Sequence, residues 1–172
     1  SRKSFDVALR ASGTACDAVD RVLQEEHTRA CCLTRPPGHH ALADDPMGFC
    51  LFNNAAVAAR QAIAEHKLSR VLVVDWDVHH GNGTQDIFYD RADVPFVSIH
   101  ADPVVEFPYF LGHAEQIGDG PGEGATRNLP LPHGTGPDEW FAALDDALRW
   151  LDGQAATATV VSLGVDTFHD DP

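Results

Sequence analysis

The chain has 172 residues, of which 44% are apolar, enough for one hydrophobic core of ordinary size. Its formal net charge of −14 argues against a nucleic-acid-binding surface, because such surfaces carry a basic stripe. No apolar run approaches the length of a membrane span, and the first residues lack the core of a signal peptide. The cysteines show neither zinc-knuckle spacing nor a disulfide framework, so we expect reduced core thiols and a cytoplasmic protein. They are Cys16, Cys31, Cys32 and Cys50.

The first half of the chain predicts two helices and two strands. Apolar residues recur at helical spacing over residues 4–24, which predicts a helix with one buried face. A short apolar strand is expected at 30–34, ended by a Pro-Pro-Gly turn. Asn53 or Asn54 can cap a second, alanine-rich helix. The apolar run 71–75 then predicts a buried strand.

The second half continues the alternation of helices and strands. A short helix is expected at 84–89, a strand at 95–100, an irregular segment at 101–124, a helix from Thr135 and a strand at 157–164. The long helix would bury one face, made of Trp140, Phe141, Leu144, Leu148 and Leu151. This alternation predicts a single α/β domain whose central parallel sheet is covered by helices on both faces.

Metal-ligand chemistry begins where the strand 71–75 ends, in Asp75-Trp-Asp-Val-His-His-Gly-Asn-Gly83. Ligand sites collect at the carboxyl edge of parallel sheets, and alternate residues of an extended segment share a face. Asp77 and His79 can therefore point at one cation. A catalytic zinc ion takes three protein ligands, and Asp166, after the last strand, can be the third. Taken alone, Asp166 is equally well a helix cap or a turn residue.

The tandem pair His39-His40 directly follows the Pro-Pro-Gly turn, which fixes the backbone at the end of a predicted strand. Imidazole takes up and returns a proton near neutral pH, as general acid–base catalysis requires. Two carboxylates offset the charge of a divalent metal, so a metal site built from them needs a nearby base. The histidine pair can supply it.

Four segments resemble the signature segments of the histone deacetylase superfamily, in that family's order and spacing. They are Arg35-Pro-Pro-Gly-His-His-Ala41, Gly48-Phe-Cys-Leu-Phe-Asn-Asn-Ala55, Asp75-Trp-Asp-Val-His-His-Gly-Asn-Gly-Thr84 and Leu163-Gly-Val-Asp-Thr167. Segments 108–115, 118–124, 128–132 and 164–168 are most similar to the bacterial acetylpolyamine amidohydrolase branch. The resemblance covers nearly the whole chain. It implies the arginase/deacetylase fold, with residues 1–172 as one catalytic domain that we expect to be a central portion of that fold, truncated at both ends.

The resemblance also implies a zinc-dependent amidohydrolase that removes an acetyl group from an acetylated amine, using water activated by the metal and a tandem histidine acid–base pair. The implied zinc ligands are Asp77, His79 and Asp166. His39 and His40 would be the general base and acid, oriented by Asp75 and Asn82 respectively. For the substrate, Gly48 would present its carbonyl, and Phe49 and Phe107 would wall a narrow tunnel.

The same family carries potassium ions, so the resemblance implies two such sites here. One would use groups of Asp75, Asp77, His79, Ser98 and Ile99. The other would use main-chain carbonyls near Phe88, Arg91 and Val94. Iron(II) can replace zinc, because one imidazole and two carboxylates discriminate weakly between these metals. Acetylated polyamines are the first expected substrates and acetyl-lysine peptides the second, with neither nucleic acid nor membrane as a partner.

One departure from the family leaves an alternative open. The family uses a tyrosine from a downstream glycine-rich loop to stabilise the oxyanion, whereas the tyrosines here, Tyr89 and Tyr109, lie in no such loop. We therefore expect this chain alone to be poorly active, and unstable unless it forms a homo-oligomer. The alternative is a non-catalytic fragment that binds acyl-amines or metal. The last residues, 169–172, predict a solvated turn.

Overall fold

The computed structural model describes residues 2–25 and 27–168, and the strands in this part form one parallel sheet. The strands are β1 (Val71–Asp75), β2 (Phe96–Ala101), β3 (Thr126–Leu131) and β4 (Ala158–Ser162), in the spatial order β3-β2-β1-β4. The helices are α1 (Arg2–Leu23), α2 (Asn54–Ala64), α3 (Asn82–Phe88) and α4 (Pro137–Asp152), with a short 3₁₀ turn at Gly120–Gly122. The turn predicted at 169–172 lies outside the described residues.

β1 is buried along its whole length, and its alternate side chains enter two separate cores. Val71 and Val73 pack with the alanine-rich face of α2. Leu72 and Val74 pack with α4 on the opposite face of the sheet. A parallel strand that is buried on both faces needs this continuous apolar run. The predicted α/β architecture, with helices on both faces of a parallel sheet, is confirmed.

The helix ends follow local sequence signals. Asn53 caps α2, because its side chain accepts a hydrogen bond of 3.0 Å from the N–H of Ala56, so the cap is Asn53 and not Asn54. α4 starts at Pro137 and carries acidic residues in its first turn and Arg149 in its last. These charges complement the helix dipole. None of the described helices combines the length and apolarity that crossing a bilayer requires.

The strand predicted at 30–34 is wrong, since this segment pairs with no strand of the described sheet and Leu33 is 96% exposed. An apolar run becomes a strand only where a neighbour satisfies its backbone groups. Conversely, β3 was not predicted, because glycines precede it and Pro130 lies within it. β3 lies at an edge of the sheet, where a proline costs little.

The predicted buried face of α4 is partly wrong, because Phe141 and Leu148 are exposed. Trp140, Leu144 and Leu151 do face the sheet as predicted, and the row at spacings of three and four residues is completed by Ala143 and Ala147.

The cysteines are free thiols, as expected, but only Cys50 is buried in the core. Cys16 is half-buried, and Cys31 and Cys32 are exposed, so the prediction of core thiols is wrong for these two. They lie in the segment 30–34, which forms no strand and therefore packs against no neighbouring strand.

Candidate metal centre and histidine pair

Three side chains that follow β1 and β4 converge on one point. Asp77 and His79 follow β1, Asp166 follows β4, and one ligand atom of each lies within 4.8 Å of the others. β1 and β4 are parallel neighbours whose register ends at Asp75↔Ser162, so their carboxyl ends lie side by side. Strand pairing thus brings together residues that are almost ninety positions apart in the sequence.

Hydrogen bonds wrap the segment after β1 around these carboxylates. The N–H of Asp77 donates to Asp75 Oδ1 at 3.2 Å, and the N–H of His79 donates to Asp77 Oδ1 at 2.8 Å. The N–H of Val78 donates across to Asp166 Oδ1 at 3.2 Å. Backbone N–H groups therefore hold the carboxylates of Asp77 and Asp166 in place without a bound ion.

The electrostatics of this cluster fit a divalent cation. His79 Nδ1 lies 3.0 Å from both Asp166 Oδ2 and Asp77 Oδ1, and these hydrogen bonds raise the pKa of His79 to about 10. Burial opposes ionisation of Asp166, but the hydrogen bonds from His79 and from the N–H of Val78 hold its pKa below the usual range. The carboxylates thus stabilise positive charge at the point where three donor atoms meet. One imidazole and two carboxylates are a donor set that zinc accepts, and the side chains stay partly exposed, so a further ligand has room.

The tandem histidines lie beside this cluster and are both buried. His39 Nδ1 lies 2.9 Å from Asp75 Oδ2, and His40 Nδ1 lies 2.7 Å from Asn82 Oδ1. These are the contacts that the resemblance implied. The ring centroids of His39 and His40 are 4.0 Å apart, and the ring centroid of His40 is 5.9 Å from that of His79.

Different neighbours give the two imidazoles different basicity. Burial by itself would lower the pKa of His39, but the charge and hydrogen bond of Asp75 outweigh it and raise that pKa. Burial lowers the pKa of His40 to about 4, with a further contribution from the neighbouring His39, because the Asn82 amide brings no negative charge. His39 is therefore the more basic imidazole of the pair, and His40 the less basic one.

Of the predicted substrate-contacting residues, Phe107 lies with its ring against the histidines. Its ring centroid is 5.0 Å from that of His40 and 6.1 Å from that of His79, both edge to face. Gly48 is half-buried, and its carbonyl accepts a hydrogen bond of 3.5 Å from the Cys50 thiol. Phe49 is 93% exposed, so a tunnel wall at this position stays a prediction.

Of the residues implied for the first potassium site, Asp75 ends β1, whereas Ser98 and Ile99 lie in the middle of β2, and all three are buried. Phe88 and Val94 are also buried, whereas Arg91 is half-buried and forms an ion pair with Asp93 at 2.5 Å. Both potassium sites stay predictions.

Asn53 has a second contact that sequence reasoning missed. Besides capping α2, its amide group donates to the carbonyl of Ala41 at 3.2 Å and to Thr84 Oγ1 at 3.1 Å. It thereby ties the histidine segment to α3. An asparagine at a helix start signals the cap but carries no signal for these longer contacts.

Comparison with known proteins agrees with this geometry. The histone deacetylase domain model matches residues 1–172. Acetylpolyamine amidohydrolase 1 of Pseudomonas aeruginosa is 56% identical over 153 residues, which are 86% of this chain and 44% of that protein. Acetylpolyamine amidohydrolase of Mycoplana ramosa is 48% identical over 169 residues, which are 98% of this chain and 49% of that protein. The chain thus spans about half the length of the curated relatives it matches.

Solved structures show the same fold. Acetylpolyamine aminohydrolase from Burkholderia pseudomallei aligns with a TM-score of 0.83 at 46% identity, covering 98% of this chain and 46% of that one. The HDA15 HD domain aligns with a TM-score of 0.88 at 38% identity, covering 96% of this chain and 48% of that one. Since the family model matches every residue and solved relatives share the sheet and its helices, the chain belongs to the histone deacetylase domain family.

Proposed function

We propose that this chain carries the metal centre and the acid–base pair of a zinc-dependent deacetylase, which hydrolyses the acetyl amide of an acetylated amine. The observation that supports this most is the convergence of Asp77, His79 and Asp166 beside the pair His39-His40. Membership of the histone deacetylase domain family supports the same reaction class. Relatives named acetylpolyamine amidohydrolase favour acetylated polyamines as substrates, with acetyl-lysine peptides second.

Asp77, His79 and Asp166 are the proposed metal ligands. A zinc ion bound there supplies Lewis-acid chemistry, since it polarises an amide carbonyl and makes a water molecule more acidic. Iron(II) fits the same donors. The exposed side of the cluster leaves room for the acetyl group, and the ring of Phe107 restricts how the acetyl group approaches.

His39 is proposed to take the proton of the attacking water. With its Nδ1 hydrogen-bonded to Asp75, its Nε2 faces Asp77, 3.9 Å from Oδ2 of that carboxylate. The raised pKa of His39 means that the cation formed on protonation is stable in this position. Asp75 also fixes the ring orientation, since its carboxylate accepts the Nδ1 proton.

His40 is proposed to return a proton to the leaving amine. Asn82 Oδ1 accepts the Nδ1 proton of neutral His40, which leaves Nε2 as the nitrogen that exchanges protons. A pKa of about 4 keeps His40 neutral at rest, so it acts as an acid only after the proton taken from the water has reached its Nε2, and it then transfers that proton readily to the amine. A cytoplasmic location and a homo-oligomer stay predictions.

The test is to load the protein with zinc, add N-acetylputrescine and measure release of free amine. We expect slow turnover by this chain, which His39→Ala lowers by about 100-fold or more. His66→Ala is the matched control, because the half-buried His66 pairs with Asp20 of α1 and contacts none of the site residues named above, so its loss should leave the rate unchanged. Tight binding without amine release would instead support the alternative of a non-catalytic acyl-amine-binding protein. The feature that favours this alternative is that neither of the two tyrosines of the sequence, Tyr89 and Tyr109, lies in a glycine-rich loop of the kind that supplies the family's oxyanion-stabilising tyrosine.

A further inference from the structure

The loop between β2 and β3 carries Phe107 to the histidine pair, yet much of this loop faces solvent. Its residues Val104, Val105, Tyr109 and Phe110 are all exposed. The loop has some order of its own, because Pro103 and Pro108 are buried and the N–H of Phe110 donates to the carbonyl of Pro103 at 2.8 Å. Contacts at the base of the loop tie this ordered turn to the rest of the fold.

The base of this loop is held at Gly112, through both of its backbone groups. His100 Nε2 lies 2.9 Å from the carbonyl oxygen of Gly112. The N–H of Gly112 donates to Gln116 Oε1 at 2.7 Å. We call these two hydrogen bonds the Gly112 clamp. His100 belongs to β2 and is buried, so the clamp ties the loop to the sheet itself.

Buried amides continue the clamp into the core. Gln85 of α3 donates through Nε2 to Gln116 Oε1 at 3.2 Å. Asn128 of β3 donates to Gln85 Oε1 at 2.6 Å and to the carbonyls of His113 and Gln116 at 3.3 and 3.2 Å. The loop is thus connected to three elements of the fold, β2, β3 and α3.

Backbone groups fix the direction of every bond in this network. The carbonyl of Gly112 can only accept, so His100 carries its proton on Nε2 and accepts from Ser98 Oγ at Nδ1, 2.8 Å away. The N–H of Gly112 can only donate, so the atom of Gln116 that it meets is the oxygen, and Gln85 presents its NH₂ group to that oxygen. One arrangement of donors and acceptors therefore satisfies the whole clamp.

The surroundings of Gly112 leave no room for a side chain. Its φ of +99° is a left-handed conformation that favours glycine. A Cβ atom there would lie 2.6 Å from Cγ of His80 and 2.7 Å from Nε2 of His100. The backbone thus approaches two buried imidazoles at a distance that no side chain permits.

We propose that His100 and Gln116 are positioning residues of the site, which hold the loop 102–112 through the Gly112 clamp so that Phe107 stays against His40. Neither residue contacts the metal ligands, so they act on the substrate through Phe107. The kinetic consequence rests on the proposed deacetylase function. The position of Phe107 does not, and it can be measured separately.

The experiment places 4-fluorophenylalanine at position 107 alone and records its ¹⁹F NMR resonance in the zinc-loaded protein. We expect one narrow resonance in the wild type and a broadened or shifted one in His100→Leu and Gln116→Leu. His100→Gln restores a donor at the place of Nε2, and Gln116→Glu keeps the acceptor for the N–H of Gly112, so both should retain the wild-type resonance. His66→Leu is the matched control for loss of an imidazole elsewhere and should change nothing.

Kinetics and metal content complete the test. The two leucine variants should raise KM for N-acetylputrescine by about 3- to 10-fold, the range for loss of one hydrogen bond, with kcat less affected and zinc content unchanged. Gln116 is half-buried in the loop, so Gln116→Leu decides the matter if His100→Leu fails to fold. An unchanged Phe107 resonance in the leucine variants would overturn the proposal. Absence of turnover in the wild type would instead count against the proposed function and leave the NMR result decisive for the clamp.

Discussion

His39 and His40 are neighbours in the chain, yet side chains of different charge bind their Nδ1 atoms. A carboxylate stabilises an imidazolium, so Asp75 outweighs the effect of burial on His39. The hydrogen bond to an amide oxygen also favours the imidazolium, but too weakly, so burial decides the pKa of His40. The different roles proposed for His39 and His40, base and acid, therefore depend on the amide of Asn82.

Asn82→Asp tests this dependence. A carboxylate at position 82 should raise the pKa of His40 from about 4 by about 1 to 3, because it favours the charged imidazole. In the wild type, where folding depresses this pKa, the stability contributed by neutral His40 is complete above the unfolded pKa of about 6.5 and is lost as the pH falls towards 4. In Asn82→Asp, the loss of folding stability on lowering the pH should be smaller or reversed in sign. NMR titration of the His40 ring protons measures the pKa, and Gln24→Glu, which adds a carboxylate at an exposed position after α1, is the control. A His40 that still titrates near 4 in Asn82→Asp would contradict the prediction.

Asp166→Asn tests the metal ligands. An amide oxygen is neutral and binds a divalent ion far more weakly than a carboxylate does. Loss of a group that merely supports a ligand costs about 10- to 100-fold in metal affinity, so loss of the ligand itself should cost at least about 100-fold. Competition with a chelator measures the zinc affinity. Asp86→Asn, an exposed change on α3, should leave that affinity as it is. Equal zinc binding by Asp166→Asn and wild type would remove this residue from the centre.

Strand β1 and the turn after it were the predictable part of the structure. Val71–Asp75 is an unbroken apolar run, and such a run fits only a strand that is buried on both faces. The rule that sites gather at the carboxyl edge then located Asp77 and His79 without any contact information. Asp166 needed in addition the pairing of β1 with β4, which the sequence indicates only through the alternation of helices and strands.

Contacts made by backbone groups were the part that could not be predicted. The Gly112 clamp uses a carbonyl and an N–H that every residue other than proline possesses, so no residue type marks it. Asn128 was visible only as part of a family-like segment, because the strand that carries it contains a proline. The prediction of a strand at 30–34 was wrong for the opposite reason, since its residue types are typical of a strand but no described neighbour pairs with it.

The close approach of β4 to the turn after β1 yields a prediction about Gly164. A Cβ atom there would lie 2.5 Å from Cγ and 2.7 Å from Cα of Asp77, and the backbone has to move to make room. Gly164→Ala should therefore weaken zinc binding and lower the free energy of unfolding by about 1–3 kcal/mol. The control is Gly13→Ala in α1, where a Cβ meets nothing within 4 Å and should stabilise the helix by up to about 1 kcal/mol. Urea denaturation and zinc titration measure both effects. Unchanged zinc affinity in Gly164→Ala would show that the centre tolerates a shift of β4.

Two features of the whole molecule oppose each other. The net charge of −14 repels one copy of the chain from another and favours cationic ligands. Yet the outer edge of β4 has no strand partner among residues 2–25 and 27–168, and Val161, Leu163 and Val165 stand exposed on or beside it. An unpaired edge with apolar side chains is a template for pairing with another strand. Which effect dominates depends on salt, because ions screen the repulsion and leave the apolar contact in place.

We therefore expect protein of this sequence to self-associate in a way that rises with concentration and with salt. Sedimentation velocity over a range of both conditions measures it. Val161→Lys places a charge on the exposed face of β4 and should shift the equilibrium towards monomer, because a charged edge strand resists pairing. Val104→Lys is the matched control, since it adds the same charge in the exposed loop after β2, away from the β4 edge. Equal effects of the two lysines would mean that net charge alone governs association, and a monomer under every condition would mean that the β4 edge is protected in some other way.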